Sequence, residues 1–372
     1  MTVNASELAA GRAYDILLAG WQAQATGALT ASWMLHGRPG VGKTQIVTQL
    51  AARIGAQLFD LRLTTIEPQD LRGLPYYDHD TRKTVWYRPE DLPDDPDSPA
   101  ILFLDELTAA SPYLQPTVYG LLQERRVGRH RLPDSVMVIA AGNDVGDGAV
   151  AHDMGTALSD RLIHLVVRSD PADWLAGFAV RAGVHPAVTA FIRARPDLLD
   201  TTEDALRRGQ TIACTPRSWE RVSAITAAVP DRTLRNAMVA GTVGAAAAAE
   251  YAVVADDIAA SLQLDALLAA APGKRAALYP DTLNGLNALA FALVGAADAT
   301  RIDAVIDTMA GIRTLDRVRP GEGFDALPLA ELCAFGFEML IDRGLKTGLQ
   351  DAFLQSESYA AYAAERRATG LD

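Results

Sequence analysis

Five short apolar runs punctuate the first 168 residues: ASWML at 31–35, AQLFDLRL at 56–63, AILFLDE at 100–106, VMVIAAGN at 136–143 and LIHLVV at 162–167. They are too continuous to alternate between a wet and a dry face, and segments with helical spacing separate them. TQIVTQLAARIG, ending at Gly55, is the clearest of these segments. Buried strands alternating with helices predict a mostly parallel sheet covered on both faces. Beyond SDPADW at 169–174 the strand-like runs stop. The chain becomes rich in Ala and Leu at helical spacing, broken at ARPDL, VPDRT, APGKRAALYPD and RPGEGFDALP. The expected organisation is an α/β domain over 1–168, a helical lid over 169–262 and a helical C-terminal extension over 263–372.

Composition narrows the class. Of 372 residues 49% are apolar, enough for sizeable cores, and the formal net charge is −12. That balance argues against wholesale binding of nucleic acid or an anionic membrane. No stretch reaches the roughly 18 apolar residues of a membrane span. The N-terminal MTVNASELAAGR lacks the basic and apolar regions of a secretory signal. Cys214 and Cys333 stand far apart without metal-ligand spacing, which fits a reducing compartment better than a disulfide framework. A cytoplasmic location is the expectation.

The chemistry begins in MLHGRPGVGKTQ. Gly37, Arg38, Pro39, Gly40, Val41, Gly42, Lys43 and Thr44 match GxxxxGK[ST] between a strand and a helix, with Gln45 following. The glycines let backbone N–H groups turn toward a phosphate, and the helix directs its positive end at the same anion. Lys43 is expected at the β- and γ-phosphates and the Thr44 hydroxyl on Mg²⁺. The [NT]KxD pattern of a guanine reader is absent around all four lysines, so ATP is favoured over GTP.

AILFLDE places Asp105 and Glu106 at the carboxyl end of a strand, where a parallel sheet opens onto its ligand crevice. Asp105 then serves Mg²⁺ and Glu106 the attacking water; a helix cap with a first-turn acid is the other reading. Asn143, ending the next buried run, offers a neutral amide to the γ-phosphate and water, or simply forms a turn. Arg161 precedes the last strand, at the end of an expected short helix. Arg217 falls in the first turn of a helix after Pro216. Either arginine is a surface residue by default, and a guanidinium at a phosphoryl-transfer site by position. Arg125 and Arg126, in a hairpin at about 124–134, are weaker candidates for a contact between subunits.

In this order the residues resemble an AAA+ ATPase, and within that class the MoxR-type group. Gly37–Thr44 corresponds to Walker A, Asp105 and Glu106 to Walker B, Asn143 to sensor 1, Arg161 to the arginine finger and Arg217 to sensor 2. EPQDLRGLPYYD and the stretch from TVWYRPEDLP to VMVIAAGN are similar to that group's helix-2 insert, at about 69–93, and its hairpin before sensor 1. The resemblance covers about residues 30 to 225. It implies a homo-oligomeric hexameric ring or spiral that hydrolyses ATP with Mg²⁺ between subunits, Arg161 coming from the neighbour, and that remodels a client protein. It also implies a partner bearing a von Willebrand factor A domain. Sensor 2 acts in cis or in trans.

Tyr76, Tyr77, Trp86 and Tyr87 either grip a client or pack the insert onto the sheet, and the GRHR tip at 128–131 offers charge to an acidic segment. Two other functions stay open at this level: a nucleic-acid-associated motor, and a ring that uses ATP only to assemble.

Overall fold

The computed structural model describes residues 3–143 and 159–368. The chain divides into two compact units, one of residues 1–170 with 202–211, the other of residues 171–201 with 212–372.

The first unit is built on a six-stranded parallel sheet. Its strands are β1 (Glu7–Leu8), β2 (Ser32–His36), β3 (Gln57–Arg62), β6 (Ala100–Asp105), β9 (Val136–Gly142) and β10 (Leu162–Val167), in the order β1–β10–β2–β9–β6–β3. The five apolar runs thus form five of its strands; β1 is two residues long and carries no run of its own. Along β6, Ile101 and Phe103 face one layer while Leu102 and Leu104 face the other, the period-two alternation of a strand. The first layer is closed by α1 (Ala10–Ala25) and α2 (Lys43–Ile54), through Leu17, Val47 and Leu50. The second is closed by α4 (Gln115–Glu124), through Val118, Leu121 and Leu122. Both faces being covered is what makes β2, β6 and β9 continuous hydrophobic runs, whereas β3, expected as a buried strand, lies at the sheet edge with Gln57, Asp60 and Arg62 exposed.

Between β3 and β6 the insert forms α3 (Pro68–Arg72) and an antiparallel hairpin of β4 (Pro75–Asp78) and β5 (Lys83–Trp86). Its aromatics do not pack onto the sheet as a group. Tyr77 and Tyr87 are 78% and 62% exposed, and Tyr76 stacks on Tyr87 with ring centroids 4.3 Å apart. Trp86 is half-buried, with the Arg72 guanidinium 4.3 Å above its ring. A second hairpin pairs β7 (Arg126–Val127) with β8 (His130–Arg131). Arg125, expected beside it as a contact for another subunit, is instead buried and donates from Nη2 to the carbonyls of Pro133 and Val136 at 2.9 and 2.5 Å. Arg126 is exposed and pairs with Glu124 at 2.5 Å.

The second unit is helical. Its core runs from Trp174 to Tyr362, so position 262, where the sequence points to a further division, lies within one continuous apolar cluster. Helix Leu283–Ala296 is buried almost all round, the signature of a central helix. Phe191, Trp219 and Tyr251 form an aromatic triad with centroids 5.2 to 5.8 Å apart, and Trp219 Nε1 donates to Leu198 O at 2.7 Å. Among the described residues no helix is long and apolar enough to cross a membrane.

Both cysteines are free and buried. Burial pushes the Cys214 thiol up to about 11 and the Cys333 thiol to about 12, so neither supplies thiolate near neutrality. A disulfide-exchange reagent at pH 8 is expected to leave both unlabelled in the folded protein over minutes and to titrate both in denaturant; fast native labelling would contradict this packing.

Candidate nucleotide-binding site

Three features leave the turn from β2 into α2 open to an anion. Gly42 sits at φ +102° and Gly37 at φ +152°, both in the region that favours glycine. A Cβ on Gly37 would stand 2.5 Å from the Val167 carbonyl oxygen, so the loop passes β10 too closely for any side chain there. The α2 N-terminus has no side-chain cap and no acid in its first turn. Its first N–H groups and the positive end of the helix dipole are therefore not neutralised by a local side chain.

Lys43, buried at 9% exposure, turns its ammonium back over the loop. It donates to the carbonyls of Gly37 and Arg38, the latter at 3.2 Å, and to Asn143 Oδ1 at 3.0 Å. The ends of β2 and β9 are thus tied through one side chain. Asn143 is placed by its backbone: its N–H donates to Thr108 Oγ1 at 3.0 Å, and that hydroxyl donates to Asn143 O at 3.1 Å. Gly142 permits this approach, since a Cβ there would meet Thr108 Cγ2 at 2.6 Å. Arg38 is paired with Glu203 at 3.2 Å.

Across the loop, Thr44 Oγ1 donates to Asp105 Oδ2 at 3.4 Å. These are two hard oxygen donors of the kind Mg²⁺ takes, a cation that retains several waters and needs few protein ligands. That economy agrees with the lack, among the described residues, of any group of three His, Cys, Asp or Glu able to hold a metal. Neither carboxylate caps a regular helix. Glu106 is left-handed, at φ +60°, and begins a three-residue 3-10 turn without a side-chain cap; Asp105 Oδ1 accepts its N–H at 2.9 Å. Glu106 points at the end of β3, where its carboxylate accepts from the Thr64 hydroxyl and lies 3.9 Å from Arg62 Nε. Asp60, also on β3, is raised above its ordinary value, by burial first and then by the Asp105 carboxylate.

Lys43, Asn143, Thr44 and Asp105 are therefore brought together. Glu106 follows Asp105 directly but is held elsewhere. Arg161 is exposed immediately before β10, while the helix expected ahead of it falls, apart from Ser159 and Asp160, outside the described residues. Arg217 is exposed in the second unit, in the first turn of helix Pro216–Ala228, which a Thr215–Ser218 capping box starts. Thr64, Arg62, Thr108 and Glu203 had no mark in the sequence, since each owes its place to a contact across the sheet or the loop.

Residues 32–162 match the AAA domain of the dynein-related subfamily. Among curated proteins none matches. Similar solved structures include a candidate ATPase from Cytophaga hutchinsonii, at 16% identity and a TM-score of 0.32, covering 77% of this chain and 76% of that one. Two mutants of Thermotoga maritima RuvB are also similar. One has 14% identity and a TM-score of 0.32, over 96% of this chain and 88% of its own. The other has 13% identity and a TM-score of 0.33, over 93% and 87%.

Lys43→Ala removes a side-chain cation seated in the loop's own hydrogen bonds. Charge-assisted hydrogen bonds contribute about 1.5–3 kcal/mol, so affinity for a fluorescent ATP analogue should fall roughly 10- to 100-fold at unchanged helical content. Unaltered affinity would place the phosphates elsewhere.

Proposed function

With an AAA domain at residues 32–162 and ATPase activity as premises, we propose that the protein is a MoxR-type AAA+ motor, a hexameric ring or spiral that uses ATP and Mg²⁺ to remodel a client protein. The observation that carries this reading is the split state of the site. Phosphate and metal groups converge at the ends of β2, β6 and β9, while the carboxylate best placed to activate water is engaged by Thr64. An enzyme meant to turn over freely gains nothing from occupying its base. One whose turnover waits on a partner does.

In the proposed cycle the Gly37–Thr44 loop and Gln45 hold ATP, and Thr44 and Asp105 hold Mg²⁺, which when bound neutralises phosphate charge. Glu106, released from Thr64, takes a proton from the attacking water. Asn143 Oδ1, now accepting from Lys43, lies beside the group that reaches the γ-phosphate, so its amide N–H can orient the water. Arg161 of the neighbouring subunit neutralises charge developing on the γ-phosphoryl oxygens, a contribution of order 10³–10⁵ in rate for such fingers. Arg217 is the proposed second sensor of the phosphate state, in cis or in trans. A finger supplied across a head-to-tail contact requires a ring or helix. The exposed Tyr77 and Tyr87 of the insert support client contact there, with a von Willebrand factor A protein as the proposed partner and the cytoplasm as the proposed location.

Glu106→Gln should bind ATP normally and lose turnover by roughly 10²–10⁴, the usual worth of a general base; phosphate release at wild-type rate excludes Glu106 from that role. Thr64→Val frees the carboxylate from an exposed hydrogen bond worth about 0.5–1.5 kcal/mol, so basal turnover without partner should rise several-fold. A fall would assign Thr64 to the attacking arrangement instead. Arg161→Ala should bind ATP yet turn over poorly, and mixing it with Lys43→Ala should restore activity above the sum of the separate proteins. Mixtures that never exceed that sum argue against a trans arginine.

A further inference from the structure

The phosphate loop and the turn bearing Arg161 belong to neighbouring strands, at opposite ends of a side-chain path. His36 is the last residue of β2, directly before Gly37, and is 3% exposed. In the parallel register it stands opposite Val166, which puts His164 one diagonal step away on the same face. His36 Nε2 lies 2.8 Å from His164 Nδ1, with the rings stacked at a centroid distance of 5.1 Å and an interplanar angle of 22°. His164 Nε2 lies 2.9 Å from the carbonyl oxygen of Ser159, two residues before Arg161.

The proton positions follow from one fact. A carbonyl only accepts, so His164 Nε2 carries the proton shared with Ser159 O. When both rings are neutral, His164 Nδ1 accepts and His36 Nε2 donates to it, so the donation runs from the strand that enters the phosphate loop to the backbone of the Arg161 turn. Two apolar residues would fill this part-buried space without the risk that a polar pair brings when half-satisfied. Neither imidazole is among the groups gathered around Lys43 and Asp105, so neither touches the reacting atoms by this route.

We infer that His36 and His164 are positioning residues, which hold the Ser159–Arg161 turn in register with the chain's own phosphate loop and so set the presentation of Arg161 to the next subunit. The inference rests on Arg161 acting in trans, and it adds a direction: the pair matters in the chain that donates the arginine.

The test uses full-length chains mixed so that the two roles separate. Arg161→Ala chains keep an intact ATP site; Lys43→Ala chains donate the arginine only. His164→Asn keeps an acceptor near Nδ1 but loses the donor to Ser159 O, whereas His164→Gln places an amide donor near Nε2. Placed in the Lys43→Ala chain, His164→Asn should lower kcat at hybrid interfaces about tenfold, the effect of losing one hydrogen bond of about 1–1.5 kcal/mol, with KM for ATP within twofold. His164→Gln in that chain should recover most of the loss. Placed in the Arg161→Ala chain, His164→Asn should cost much less. Equal losses from either chain, or Gln no better than Asn, overturn the inference and leave the trans arginine standing. A parent mixture with no gain overturns the trans arginine, and the inference with it.

Discussion

A phosphate can be held by backbone alone only where several N–H groups point the same way with no side chain between them, and everything else in the first unit follows from meeting that condition at one place. β2 supplies it by running into α2 through three positive-φ glycines, Gly37, Gly40 and Gly42. The helix start is left uncapped, so its dipole and N–H groups remain directed outward. Lys43 satisfies itself on loop carbonyls and Asn143. An incoming phosphate must therefore displace contacts that already exist, and its net gain is the difference between two sets of hydrogen bonds. Parallel strand order then decides which other groups come near: β9 and β6 lie next along the sheet, and their carboxyl ends bring Asn143, Asp105 and Glu106.

The second unit works by different physics. Its described residues form no sheet, and it relies on a helix buried nearly all round, an aromatic triad and well-formed caps at Thr215, Asp231 and Thr282. Trp219 is fully buried within it and still satisfies its indole N–H on Leu198.

Much of this could be read from sequence because local pattern and global fold agree. The runs of β2, β6 and β9 became interior strands, while AQLFDLRL, which carries Asp60 and Arg62, became the edge strand β3; a loop matching every glycine of its motif between a strand and a helix leaves few alternatives. What escaped depends on sheet order, which periodicity does not encode. His36 meets His164 only because β10 lies beside β2, and Thr64 meets Glu106 only because β3 lies beside β6. Arg125 shows the converse. Its neighbours Glu124, Arg126 and Arg129 look like a charged hairpin edge, yet a left-handed helix C-cap turns Arg125 inward onto Pro133 and Val136. The division suggested near 262 came from Pro and Gly punctuation, which marks where helices end and not whether the next one shares their core.

The near-absence of lysine gives the buried Lys43 a practical meaning. The chain has four lysines, and Lys83, Lys274 and Lys346 are all exposed. An acylating reagent thus meets three amines that carry no part in the loop and one that is sheltered within it. Mass spectrometry of so small a set amounts to an internal ratio, in which three sites report dose and the fourth reports how often the loop opens. The chemistry of the grip can thus be followed without adding a label.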